Sequence, residues 1–207
     1  AEETIEAYKK QIEKNELFER KLEELEKLPS ETKDGKHVRL STNLEFNNEV
    51  DYVVTHFGCD VGLYRTENLF MELGDFPSEE EQYKQYKFLA DHIYPKTVTI
   101  RTFDIGGDKI LPDSQKEVNP FLGWRGIRIC LDKKEIFMAQ LRAILRASSG
   151  GNLKIMLPMI SGIEEVKKTY QYLDEAKSQL RSQHIRFDEK IEVGVMIEIP
   201  SAVILAD

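Results

Sequence analysis

The sequence predicts an α/β chain built on a parallel sheet, and three observations lead there. Short apolar runs alternate with longer amphipathic stretches at the spacing of strand–helix units. Within the run 97–103, Val98 and Ile100 point one way while Thr99 and Arg101 point the other, the period of a strand. That run ends abruptly in Asp104-Ile105-Gly106-Gly107-Asp108-Lys109, whose paired glycines allow a turn that residues with a Cβ resist. Charged groups at the ends of successive strands favour a (β/α)8 TIM barrel, whose carboxyl-terminal rim is the active face, over a doubly wound open sheet. Neither the Rossmann nor the Walker A glycine pattern follows any of the predicted strands.

Taken in order, residues 2 to about 28 read as a long charged helix with an interrupted apolar stripe, Ile5, Tyr8, Ile12, Leu22, Leu25 and Leu28. Asn15, Glu16 and Glu19 break the seam that a coiled coil needs, so a surface or linker helix is expected. Pro29 stops it, and Asp34-Gly35 signals a turn before a first strand at 38–44. The domains are therefore a linker helix and turn over 1–36 and a sheet domain over 37–207. A helix over 47–57 carries Val50, Val53, Val54 and Phe57 at helical spacing, and the second strand covers 61–66. Ser78 with Glu81 makes a capping-box start for a helix to about residue 93. After the third strand a long loop reaches Trp124, and a helix follows over about 133–147. The fourth strand is 153–159, Ser161 and Glu164 cap a helix to about residue 182, and the fifth strand is 193–199. A closed barrel of this kind needs eight strands, so the expectation is a partial barrel, truncated after strand five. Leu63, Ile100, Leu157 and Ile197 lie on these strands, and whichever faces stay open would be costly in water, so self-association is expected.

Composition limits the classes of function. A hydrophobic share of 41% over 207 residues supports one sizeable core. No run approaches the roughly 18 apolar residues of a membrane span, so no membrane insertion is expected. A net charge of −8 argues against nucleic acid as partner and requires local arginines to hold any anionic ligand. Cys59 and Cys130 lack metal-ligand spacing and are expected to be reduced thiols in a cytoplasmic protein.

The chemistry concentrates at predicted strand ends. Arg65, Arg101 and Glu198 each stand at the downstream end of a strand, and parallel strands gather them at one rim. A lone strand-end arginine is more often a structural ion-pair partner. The recurrence changes that reading: two guanidiniums and a carboxylate together suggest an anionic substrate with a divalent metal.

A series of ordered blocks carries a family resemblance. They are Gly62-Leu63-Tyr64-Arg65-Thr66-Glu67 with Leu69-Phe70-Met71, then Arg101-Thr102-Phe103-Asp104-Ile105-Gly106-Gly107-Asp108-Lys109 and Asn119-Pro120-Phe121-Leu122-Gly123-Trp124-Arg125. Gln140-Leu141-Arg142-Ala143-Ile144-Leu145-Arg146-Ala147-Ser148, Met156-Leu157-Pro158-Met159-Ile160 and Gly194-Val195-Met196-Ile197-Glu198-Ile199-Pro200 complete the set. Over residues 61–200 the chain resembles the Enzyme I family of the bacterial phosphoenolpyruvate:sugar phosphotransferase system, in its carboxyl-terminal phosphoenolpyruvate-binding barrel. It is less similar to the pyruvate-phosphate dikinases. Asn68 stands where an aromatic usually follows Arg-Thr-Glu, and Ile199 replaces the threonine common between the glutamate and the proline.

The resemblance implies a phosphoenolpyruvate-protein phosphotransferase that passes the phosphoryl group to a histidine in the first step of the sugar phosphotransferase system. It implies Arg65 and Arg101 at the phosphoryl end of the substrate and Arg125 as a third candidate, whose alternative is a helix-start ion pair. It implies Glu198 as a Mg2+ ligand. Glu67 and Asp104 are expected to orient arginines or loop backbone, and Arg128, Arg142 and Arg146 to be surface or helix-packing residues. The family's acceptor histidine belongs to a preceding domain and its proton-donor cysteine to a late strand. No residue of this chain matches either, so no catalytic residue is assigned and the fragment alone is expected to be inactive. Implied partners are phosphoenolpyruvate, the histidine-containing phosphocarrier protein and a second copy in a homodimer. Alternatives are another phosphoenolpyruvate-utilising enzyme of dikinase or synthase type, or a non-enzymatic half-barrel acting by association.

Overall fold

A computed structural model describes residues 2–26, 28–56, 58–73, 75–106, 119 and 122–206. Phe57 and the Gly107-Asp108-Lys109 part of the predicted turn lie outside the described residues. The chain divides into two compact units, 1–40 and 41–207, slightly beyond the boundary expected after residue 36. The reason is local. Val38 is not in the first strand: its N–H donates to the Ser30 carbonyl at 2.7 Å, and Ser30 Oγ donates to the Val38 carbonyl at 2.6 Å, closing the Asp34-Gly35 turn into the first unit. Helix α1, Glu2–Glu26, precedes that turn, and its stripe residues Ile5, Tyr8, Ile12, Leu22 and Leu25 are exposed.

The second unit holds strands β1 (Ser41–Leu44), β2 (Asp60–Tyr64), β3 (Val98–Arg101), β4 (Leu153–Leu157) and β5 (Glu192–Val195). Its helices are α2 (Val50–His56), α3 (Glu67–Leu73), α4 (Glu79–Ile93), α5 (Ile127–Asp132), α6 (Lys134–Ala147), α7 (Ile163–Ser182) and α8 (Pro200–Ile204). All neighbouring strands pair in parallel, in the order β1-β2-β3-β4-β5. A doubly wound sheet reverses its strand order at a switch point; this one runs on without reversal. With sequential strands and crossovers of one hand, the connecting helices fall on one face. Accordingly α2 packs on α4, α4 on α6, and α6 on α7.

The alternation within strands decides which side chains those helices cover. Val98, Ile100, Leu153, Ile155 and Leu157 are buried with Leu89, Phe137, Leu141, Ile144 and Leu173. The opposite face carries Thr99, Arg101, Lys154 and Met156, in register across β3 and β4, and Lys154 Nζ pairs with Glu192 Oε2 at 2.6 Å. Of the strand residues named above, Ile100 and Leu157 therefore lie under helices, whereas Ile197 is exposed beyond β5. Stranded positions on the open face are largely polar because an alternating strand can be apolar on the covered side alone.

Several boundaries move for identifiable reasons. The capping box forms as expected: Glu81 Oε2 accepts from Ser78 N–H at 2.8 Å, and Ser78 Oγ accepts from Glu81 N–H at 3.3 Å. At α7 the closing carboxylate is Glu165, not Glu164; it accepts from Ser161 N–H at 2.6 Å, and Glu164 pairs with Lys167. Strand β5 ends at Val195 instead of residue 199, so Glu198 lies in the connection to α8, where Pro200 stands at the first helical position. Helices α3 and α5 were not expected; each is too short for apolar periodicity to mark.

Candidate functional site

Arg65 directly follows β2, Arg101 is the last residue of β3, Arg125 precedes α5, and Glu198 follows β5. Because the strands are parallel, Arg65, Arg101 and Glu198 stand at the same carboxyl-terminal rim. Arg125 comes to it through the segment after β3, where Gly106 and Arg125 form an isolated antiparallel bridge. Gly106 has φ 129°, and a Cβ there would lie 2.5 Å from Arg125 Cβ, so glycine is required for the two segments to meet. Gly126, with φ 56°, makes the next close approach: its N–H donates to the Ile105 carbonyl at 3.0 Å.

Two buried carboxylates organise the arginines. Asp104 is shared: its Oδ2 lies 3.5 Å from Arg101 Nη1 and 3.0 Å from Arg125 Nη2, and its Oδ1 accepts from Arg125 Nε at 3.2 Å. Glu67 Oε1 lies 3.1 Å from Arg101 Nη2 and accepts from Asp104 N–H at 2.9 Å. The orienting role expected for Glu67 and Asp104 is thus what the geometry provides. Arg125 makes the ion pair that was its alternative reading, but with Asp104, which also holds Arg101. Arg101 Nε is buried without a hydrogen-bond partner. A partly buried cation with one donor unused beside two fixed carboxylates is poised for a further acceptor.

Arg65 is held differently. Its Nη1 pairs with Glu45 Oε1, and both side chains are 41% exposed, against 12% for Arg101 and 15% for Arg125. Glu198 Oε1 accepts from Met159 N–H at 2.7 Å, and Met159 has φ 59°. Among the described residues Glu198 pairs with no lysine or arginine, and no cluster of three His, Cys, Asp or Glu could hold a metal ion. An exposed carboxylate with one oxygen anchored by backbone fits a magnesium ion, which binds through one or two carboxylates plus substrate oxygens and water. Glu67 and Asp104 do not fit that role, being committed to arginines.

Arg128, Arg142 and Arg146 are engaged in packing contacts, as expected for them. Arg142 Nε and Arg146 Nη1 reach Glu79 at 2.6 and 2.8 Å, tying α6 to α4, and Arg146 lies over the Tyr83 ring. Arg128 donates to the Leu122 carbonyl at 2.7 Å and to the Met159 carbonyl at 3.3 Å. His56, His92 and Cys59 lie near the starts of β2 and β3, at the opposite end of the sheet. Cys130 is buried in α5 with its thiol toward the Phe103 carbonyl at 3.6 Å, and burial pushes that thiol's pKa up.

Sequence reasoning missed the polar network beneath the rim. Gln140 in α6 is fully buried; its Oε1 accepts from Phe103 N–H at 3.0 Å, and its Nε2 donates to Thr66 Oγ1 at 3.3 Å and Tyr86 Oη at 3.2 Å. Thr66 Oγ1 donates in turn to the Arg101 carbonyl at 3.0 Å, and Tyr86 Oη to Gln82 Oε1 at 3.1 Å. The signal was available: Gln140 shares the spacing of Phe137, Leu141 and Ile144, a core position occupied by an amide.

Residues 19–207 match the family described as the phosphoenolpyruvate-binding domain of phosphoenolpyruvate-utilising enzymes. The chain is 49% identical over 181 residues to the phosphoenolpyruvate-protein phosphotransferase of Bacillus subtilis, covering 86% of this chain and 32% of that protein. Identity to the protein of the same name from Listeria innocua is 47% over 189 residues, covering 89% and 33%. For that of Priestia megaterium it is 45% over 211 residues, covering 100% and 36%. The chain spans about a third of the length of these curated relatives. With its matched region taking in the whole sheet and every arginine of the rim, the chain belongs to the phosphoenolpyruvate-binding domains of the phosphoenolpyruvate-utilising enzymes.

Proposed function

We propose that this chain is the phosphoenolpyruvate-binding segment of a phosphoenolpyruvate-protein phosphotransferase, contributing five strands and one arc of the rim of a (β/α)8 barrel. The observation that carries the reading is the pair of rim guanidiniums, Arg101 and Arg125, locked by the buried carboxylates of Glu67 and Asp104. Phosphoenolpyruvate bears a phosphate and a carboxylate, and the guanidinium fork matches two oxygens at once. Arg65 and Arg101 receive the phosphoryl oxygens and Arg125 is the third donor. Because Glu67 and Asp104 fix Arg101 and Arg125 in advance, little reorganisation accompanies charge development on the transferring group. Glu198 would hold Mg2+, which when bound neutralises charge on the substrate oxygens.

The chain's own share is therefore binding and charge neutralisation. The similarity to phosphoenolpyruvate-protein phosphotransferases favours a protein acceptor, the histidine that the resemblance implies, over the nucleotide-directed transfer of a dikinase. For the whole protein the same reading gives phosphoenolpyruvate as donor, the histidine-containing phosphocarrier protein as partner, a homodimer and a cytoplasmic location. Among the described residues no helix is long and apolar enough to cross a membrane.

Kinetics of the full-length protein that carries this chain test the reading. Arg65→Ala and Arg101→Lys are each expected to slow phosphorylation by about a hundredfold, on the order of 3 kcal/mol. Lysine is chosen at 101 because alanine would leave Glu67 and Asp104 buried beside a void. Arg146→Ala keeps its activity, and Glu198→Ala raises the Mg2+ requirement. Near-normal rates in both strand-end variants would place the site elsewhere.

A further inference from the structure

We propose that Glu45 is an internal anion that competes with the substrate phosphoryl group for Arg65, and so sets substrate affinity. The inference rests on the reading of Arg65 as a phosphoryl-binding residue. Glu45 follows the last residue of β1, and Arg65 N–H donates to the Leu44 carbonyl at 3.0 Å, so the two side chains leave adjacent strand ends together.

Residue 45 is fixed on both sides of its α-carbon. Its N–H and that of Phe46 each donate to Glu49 Oε2 at 2.9 Å, and its carbonyl accepts from Asn68 Nδ2 at 3.1 Å. With the backbone clamped in this way, the carboxylate is delivered to Arg65 Nη1. The three rim arginines are thereby neutralised in two distinct ways. The partners of Arg101 and Arg125 are buried, Glu67 at 3% and Asp104 at 8% side-chain exposure, and removing them from their cations would strand charge in the interior. Glu45 is 41% exposed, and a carboxylate in that position can return to water when a more highly charged anion arrives. Two carboxylates hold the site and one carboxylate guards it.

The exchange is an ion-pair replacement with no covalent step. The phosphoryl oxygens take the Arg65 guanidinium, and Glu45 swings into solvent while its backbone stays latched. The cost of freeing Arg65 enters the binding of any phosphate-bearing ligand and is seen mainly in KM.

The test uses the full-length protein, with phosphoenolpyruvate as substrate and inorganic phosphate as a competing anion. Glu45→Gln is expected to lower KM for phosphoenolpyruvate roughly two- to fivefold, the scale on which a half-exposed ion pair trades partners, with the change in kcat/KM residing in KM. The inhibition constant for phosphate should fall by a similar factor. Asn68→Ala, which unlatches residue 45 without altering either charge, should move both constants in the same direction by less. An unchanged KM in Glu45→Gln overturns the proposal, and so does a raised one, which would make the carboxylate a support for Arg65. A lowered KM with an unmoved phosphate constant overturns it as well. Arg65→Ala run alongside separates the two levels: if that variant is impaired while Glu45→Gln is silent, only the guard role fails. If Arg65→Ala is itself silent, the assignment of the site fails with it.

Discussion

Replacing Gln140 by leucine should weaken the protein by about 2–3 kcal/mol, although no charge is removed and the volume barely changes. The sum follows the three hydrogen bonds of the amide. Its Oε1 is the partner of Phe103 N–H at 3.0 Å, in a residue 1% exposed, and leucine leaves that donor with nothing to bond. An orphaned buried donor costs about 1–3 kcal/mol. The two bonds from Nε2, at 3.3 and 3.2 Å, are longer, and their acceptors survive better. Thr66 Oγ1 still donates to the Arg101 carbonyl and Tyr86 Oη to Gln82, so each loses an accepted bond while keeping its donated one. These add a few tenths of a kcal/mol apiece, and leucine's apolar burial returns part of the sum. Equilibrium urea unfolding followed by circular dichroism measures it directly, with a lowered midpoint and an unchanged slope. For a chain of this length, thermal unfolding should fall by roughly 4–12 °C. A loss below about 0.5 kcal/mol would refute the reasoning, since it would mean that Phe103 N–H finds another partner without cost.

Three further outcomes follow. The Glu81 carboxyl is held below its ordinary value of 4.5 by the Ser78 side chain and backbone; a lowered folded pKa stabilises fully above that ordinary value and fades as pH falls through the folded one. Glu81→Gln should therefore lose stability relative to the parent at neutral pH and converge with it in acid; parallel curves would contradict the capping role. In thiol titration Cys59 should react in the native protein and Cys130 only on unfolding, because burial raises the Cys130 pKa; rapid native modification of both thiols would contradict the burial. The 207-residue chain is expected to self-associate through its sheet edges, since among the described residues β1 pairs only with β2 and β5 only with β4. Light scattering showing a monodisperse monomer at micromolar concentration would refute this.

What was legible in the sequence was whatever a single element determines. The alternation of Val98 and Ile100 with Thr99 and Arg101 assigns each side chain to a face, and the structure buries the first pair and leaves the second half-buried. The Ser78–Glu81 box needs four consecutive residues, and it forms as read. Strand ends were read too long because apolar character outlasts the ladder: Met159 and Ile199 are buried although neither belongs to a strand. The α7 cap was placed one residue early, since the spacing rule counted from Ser161 selects Glu164, whereas the helix is capped at Gly162 and its third residue is Glu165.

The site was legible as a list of cations and illegible as a circuit. Arg65, Arg101 and Arg125 announce themselves by charge at the ends of apolar runs, but what makes them a rim is the pattern of their partners. Asp104 can serve two arginines only because Gly106 and Gly126 let the segment after β3 fold back onto Arg125. Gln140 reaches the β3 end across 37 residues of sequence and the β2 end across 74. Such long-range bonds join neighbouring strand ends that no local rule relates, and here they join the same ends that carry the arginines. Support for the fold and alignment of the site are thus one set of interactions. A substitution such as Gln140→Leu should therefore be felt in the stability of the sheet before it is felt as a missing charge at the rim.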